Sequence, residues 1–115
     1  MMDIQALTPL ELFEYLNGDQ SVYLIDVRTL EEYQTSHIAS AMHRPLSMLD
    51  VNATEWVEHQ DQLWIMYCRL GKRSYQAARL LHQAYPDRLL YHLEGGIEAW
   101  QSAGYAVVIP KLNGG

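Results

Sequence analysis

Leu63-Trp64-Ile65-Met66-Tyr67-Cys68-Arg69-Leu70-Gly71-Lys72-Arg73-Ser74 reads as a strand, a short glycine-bearing loop and the start of a helix. Residues 63–67 are apolar without alternation, as in a strand covered on both faces. From Ser74, Ala77, Ala78, Leu81 and Ala84 recur at helical spacing on one face, with Gln76, Arg79 and Gln83 on the other. Small alanines let such a helix approach a sheet closely. Gly71 permits the backbone angles that a tight turn needs.

The same alternation extends outward. Leu89 to Leu93 is a second buried strand, and Glu94-Gly95-Gly96 turns it into a helix with Ile97, Trp100 and Ala103 inward and Gly104 as its stop. Upstream, Val22 to Ile25 is a third apolar run, ending at Asp26-Val27-Arg28. Two capping boxes start helices, Thr8-Pro9-Leu10-Glu11 and Thr29-Leu30-Glu31-Glu32. Leu12, Phe13 and Leu16 form the apolar face of the first, and Asn17-Gly18 ends it. Ala41 to Pro45 suggests a short strand. Asn52 to Gln60 suggests a helix with Asn52 as cap and Glu55 three residues on. Residues 46–51 show no clear pattern. Strands separated by helices imply an α/β domain, with a mainly parallel central sheet and helices on both faces. Ligands then bind beyond the carboxyl ends of the strands. Asp26, Cys68 and Glu94 each follow such a strand, so all three are expected at one edge.

The 115 residues fit one domain, with a core over about 4–108 and a frayed tail from about 110. Hydrophobic residues at 49% and charged residues at 19% suit a globular core. The net charge of −6 argues against general nucleic-acid binding. No signal peptide and no apolar run of membrane-spanning length is visible, so the reducing cytoplasm is the expected location. Cys68 is the single cysteine, which excludes an internal disulfide and a multi-thiolate metal site. His37, His43, His59, His82 and His92 show no paired ligand spacing, and no metal or other cofactor is implied. Trp56, Trp64 and Trp100 read as core aromatics. Glu11, Glu14, Glu55 and Glu58 read as helix-surface carboxylates.

Against this acidic background, Arg69, Lys72 and Arg73 are three of eight Lys and Arg residues, gathered directly after the cysteine. A thiolate, not a thiol, is the nucleophile. Loop N–H groups, a helix N-terminus and three cations would all favour the thiolate and hold an anionic substrate. The strand end is expected to leave the sulfur accessible. A buried, inert cysteine is the common alternative for a free thiol, and the basic loop argues against it.

Cys68-Arg69-Leu70-Gly71-Lys72-Arg73-Ser74 resembles the active-site loop of rhodanese-like sulfurtransferases. The resemblance continues in Leu24-Ile25-Asp26-Val27-Arg28, Glu31-Glu32-Tyr33 and His37-Ile38. It resumes in Leu93-Glu94-Gly95-Gly96-Ile97, Ala99-Trp100 and Gly104-Tyr105, and covers most of residues 22–107. It implies a single rhodanese-like domain in which Cys68 takes sulfur from an anionic donor such as thiosulfate. A Cys68 persulfide then passes that sulfur to cyanide or a thiol. Residues 69–74 would bind the substrate. Asp26, Arg28, Gly95 and Gly96 would shape the rim, with Arg28 pairing to Glu31 or Glu32, Asp26 bonding nearby backbone, and the glycines serving a tight turn. Cysteine-and-arginine phosphatases need a loop one residue longer, and Ser74 occupies the place their arginine requires. The lack of a second cysteine also disfavours arsenate reduction. Two alternatives accompany the enzyme: a carrier relaying sulfur between proteins, and a non-enzymatic interaction module. Ser36 and Ser40 stand where the family usually has glycine, and Ala39 where it has proline.

Overall fold

The computed structural model describes residues 3–111. Five strands form one parallel sheet: β1 (Ile4–Leu7), β2 (Val22–Asp26), β3 (Met42–His43), β4 (Leu63–Tyr67) and β5 (Leu90–Leu93). Their spatial order is β1-β5-β4-β2-β3. The helices are α1 (Pro9–Leu16), α2 (Leu30–Thr35), α3 (Glu55–Glu58), α4 (Lys72–Ala84) and α5 (Gly96–Ser102). A 3₁₀ turn spans Leu46–Met48.

The two-faced burial expected of the apolar strands is present. Along β4, Ile65 and Tyr67 join Leu12 of α1 and Ile97 and Trp100 of α5 in one core layer. Trp64, Met66 and the following Cys68 join Trp56 of α3 and Ala77, Ala78 and Leu81 of α4 in the other. Period-two alternation therefore sends neighbouring apolar residues into opposite layers. No helix among the described residues is long and apolar enough to cross a membrane.

Both capping boxes are formed as read, on Thr8 with Glu11 and Thr29 with Glu32. Several local expectations change. Strand β1 was not visible in sequence, because only Leu7 of its four residues is buried. It gains its structure by pairing with β5, from Ile4 beside Leu90 to Leu7 beside Leu93. The strand expected over 41–45 shrinks to two residues at the other edge. Pro45 has no N–H to offer a ladder. The helix expected over 52–60 shortens to α3, because Asp50 captures its start. The Asp50 carboxylate accepts from Asn52 N–H at 2.9 Å, and its carbonyl accepts from Trp56 Nε1 at 2.8 Å. Asn52 is therefore not the cap. Glu55 is not a plain surface residue either, since it takes hydrogen bonds from Tyr23 Oη and Arg44 Nε. Ala84 and Ala103, expected inward, are exposed near helix ends. Residues 112–115 of the expected tail lie outside the described residues.

Ser40 is the one non-glycine residue with positive φ among the described residues, at 70°. Side-chain-bearing residues pay about 1–2 kcal/mol in that region. Ser36 is extended at φ −170° and requires no glycine. Ser40→Gly should therefore stabilise the domain by about 0.5–1 kcal/mol, read by chemical denaturation, whereas Ser36→Gly should not.

Candidate active site

β2, β4 and β5 end at one edge of the sheet, and Asp26, Cys68 and Glu94 stand there as expected. Helix α4 begins at Lys72, two residues before the expected start. Gly71, at φ 112°, occupies the cap position, and its carbonyl accepts from Tyr75 N–H at 3.2 Å. Lys72, Arg73 and Ser74 thus form the first turn, whose N–H groups have no intrahelical acceptor. The Cys68 sulfur takes that place. Sγ accepts from Gly71 N–H at 3.1 Å and Ser74 N–H at 3.3 Å, and lies 3.5 Å from Ser74 Oγ.

Cys68 is only 1% exposed, so the expectation of an accessible sulfur is corrected. The loop folds its amides over the sulfur rather than leaving it at an open strand end, while Leu70 projects outward at 60% exposure. The loop is held from behind by α5. Cys68 O accepts from Ile97 N–H at 2.8 Å and Arg69 O from Glu98 N–H at 3.2 Å. Gly95 and Gly96 make this approach possible, at φ 74° and 63°. A Cβ on Gly96 would stand 2.2 Å from Arg69 O and 2.5 Å from Cys68 O. The pair acts as a close-contact turn supporting the loop.

The charges are arranged differently from the sequence reading. Arg69 pairs with Glu98, and Arg73 forms a two-pronged pair with Glu32 at 2.7 and 2.9 Å. Among the described residues Lys72 has no carboxylate partner. Two of the three loop cations therefore share their charge with a carboxylate, and the full positive field expected at the sulfur is reduced. A cleft lined by Arg28, Glu32, Ser36, Arg69 and Glu98 opens beside these pairs. The Arg73 bonds, with help from Thr29 and against burial, pull the Glu32 carboxyl down to about 2. Since its folded value lies below its usual 4.5, Glu32 adds stability that is complete above about pH 4.5 and is lost as pH falls toward 2. Glu32→Gln should flatten that part of the acid unfolding curve measured by circular dichroism.

Arg28 does not pair with Glu31 or Glu32. It folds back on Asp26, with Nη2 at 2.7 Å and Nε at 3.0 Å from the carboxylate, and its own N–H bonds Asp26 Oδ1 at 2.9 Å. Both side chains are buried, at 5% and 0% exposure. Arg28 Nη2 also donates to Ser36 O, and Tyr67 Oη accepts from Ile38 N–H at 3.0 Å. Burial would lower the Arg28 guanidinium, but the Asp26 bonds and charge outweigh it and raise its pKa. Burial, and then the Asp26 charge, pushes the Tyr67 phenol up. This knot ties the connection after α2 to β2 and β4, and Arg28 lines the cleft.

Sequence reasoning missed His92 and Glu98 at the site, and gave Glu32 to Arg28 where it pairs with Arg73. His92 is half-buried, and its Nδ1 lies 3.3 Å from Ser74 Oγ. Alternation along β5 would have shown that His92 shares the α4-facing side with Leu90. The two glutamates lie far from the loop in sequence, so their pairing with its cations has no local signal.

A family model described as the rhodanese-like domain matches residues 8–103. The chain is 35% identical over 100 residues to a sulfurtransferase of Allochromatium vinosum, covering 87% of this chain and 91% of that one. It is 38% identical over 73 residues to YrkF of Bacillus subtilis, named as a candidate sulfur carrier protein, covering 63% of this chain but 38% of that one. The rhodanese-like domain of Anabaena sp. Alr3790 superposes with a TM-score of 0.77 at 24% identity, covering 100% of this chain and 87% of that one. With the parallel sheet and the cysteine loop at its carboxyl edge, these matches place the chain in the rhodanese-like sulfurtransferase family.

Proposed function

We propose that the protein transfers sulfane sulfur through a persulfide on Cys68. The observation that carries this is the seating of Sγ on two backbone N–H groups at the mouth of α4. Oriented amides at a helix N-terminus favour a thiolate over a thiol. The thiolate attacks the outer sulfur of a donor such as thiosulfate. The donor's S–S bond breaks, sulfite leaves with the bonding electrons, and Cys68–S–S⁻ remains. An acceptor thiolate, or cyanide in an assay, then attacks the terminal sulfur and returns the electrons of the Cys68 S–S bond to Sγ. This is covalent catalysis split into two easier steps. Among the described residues the amides of Arg69, Leu70, Lys72 and Arg73 have no acceptor, and they are available to the terminal sulfur.

A second reading is sulfur relay from one protein to another. It is favoured by the charge pairing, which leaves Lys72 as the one unpaired loop cation among the described residues for a free anionic donor. Leu70, exposed beside the sulfur, offers apolar contact to a protein. An interaction module without chemistry would have no use for the seated sulfur.

Initial rates with thiosulfate and mercaptopyruvate, compared side by side, test the proposal. Sulfite release from thiosulfate, lost in Cys68→Ser, is expected for the enzyme. Transfer from a protein persulfide alone, with neither small donor active, would replace it by the relay. No transfer from any donor would leave only the module.

A further inference from the structure

Ser74 Oγ is fully buried and has three polar neighbours: Gly71 O at 3.1 Å, His92 Nδ1 at 3.3 Å and Cys68 Sγ at 3.5 Å. A hydroxyl has one proton to give and two lone pairs. When Cys68 is a thiol, S–H donates to Oγ and the Ser74 proton goes to Gly71 O or to Nδ1. When Cys68 is a thiolate, sulfur can only accept. The Ser74 proton then points to Sγ, and Oγ is open to a proton on His92 Nδ1. The state of the sulfur and the proton position on His92 are therefore linked through one hydroxyl. Cys68 and Ser74 are both closed to solvent, whereas His92 is partly exposed.

From this geometry we propose that His92 is a positioning residue for Cys68, which takes up the thiol proton through Ser74 and passes it to water. The step balances. Sγ–H gives its proton to Oγ while Oγ–H gives its own to Nδ1, and the imidazolium then loses its Nε2 proton to solvent. The groups facing His92 are consistent with this role. The Tyr75 ring of α4 packs against it in a T-shaped pair with centroids 5.6 Å apart, and β1 and β4 set the uncharged Ala6 and Met66 beside it. Burial lowers the His92 pKa, keeping the ring neutral and able to accept, with the charge of Glu94 opposing. The charge of Arg73 also acts on Cys68. The proposal rests on Cys68 acting as a nucleophile, but its test does not depend on sulfur transfer.

The test is the rate of Cys68 methylthiolation by methyl methanethiosulfonate from pH 5 to 10. His92→Leu keeps a side chain of comparable bulk but can neither take the proton from Oγ nor give one to it. Its thiol inflection should move up by about one unit, giving about tenfold slower labelling at pH 7 and an unchanged rate at pH 10. Ser74→Ala should move the inflection in the same direction, and adding His92→Leu to it should add little. A His92→Leu curve superposed on the wild type, or lowered equally at every pH, overturns the proposal. Should that variant not fold, ¹⁵N imidazole shifts of the wild type decide. The His92 tautomer should change when Cys68 is labelled, and indifference to labelling overturns it. Normal titration here without sulfite release would count against the sulfur-transfer reading and leave this one standing.

Discussion

Gly96→Ala should destabilise the domain by about 2–5 kcal/mol. Two costs add. The residue sits at φ 63°, where an L side chain costs about 1–2 kcal/mol. The new Cβ would also stand 2.2 Å from Arg69 O and 2.5 Å from Cys68 O, both backbone atoms of a loop with little room to yield. Overpacking of this kind typically adds about 1–3 kcal/mol. The loop must move, and the bonds from Ile97 and Glu98 N–H to its carbonyls move with it. Sulfur transfer should fall further than the loss of folded protein explains, because the shift occurs beside the sulfur. Gly104→Ala is the control. It has φ 90°, but a Cβ there would meet nothing within 4 Å, so backbone strain acts alone. Its cost should be about 1–2 kcal/mol, and equal melting of the two variants would refute the account of the loop's support.

Asp26→Ala should cost about 3–5 kcal/mol, because it strands the buried Arg28 guanidinium without its partner. Ser36 O still accepts from Arg28 Nη2, but one carbonyl does not replace a two-pronged carboxylate. The effect should exceed that of breaking the exposed Arg69–Glu98 pair, since exposed pairs contribute about 0–1 kcal/mol. Replacing both partners, Asp26→Leu with Arg28→Met, should recover part of the loss by removing both buried charges. Denaturant titration of these variants and of Glu98→Gln checks the order. A loss under about 1 kcal/mol for Asp26→Ala would mean the pair is more hydrated than its burial implies.

The sequence carried most of the fold because its three central strands are buried on both faces and show uninterrupted apolar runs. The capping boxes at Thr8 and Thr29 were equally legible, since each satisfies its own backbone within four residues. Strand β1 was not legible. Its pattern is half-exposed, and its structure comes from β5, far along the chain. The helix at 52–60 failed for the opposite reason, because a local turn on Asp50 outcompeted a plausible cap. At the site, the cysteine, glycine and first-turn residues could be located from the loop alone. Their electrostatics could not, because Glu32 and Glu98 reach Arg73 and Arg69 only in the folded chain. The closure of the loop over Sγ was also invisible, being a property of Gly71 and of α5 packing behind it.

The central claim is that Cys68 carries the sulfur. The most direct measurement is intact-protein mass after incubation with thiosulfate, with a protein persulfide donor run in parallel. The expected result is a gain of one sulfur atom, located on Cys68 by peptide mapping, removed by cyanide or a thiol and absent in Cys68→Ser. Folded protein that gains no sulfur from either donor, or gains it equally in Cys68→Ser, would contradict the claim.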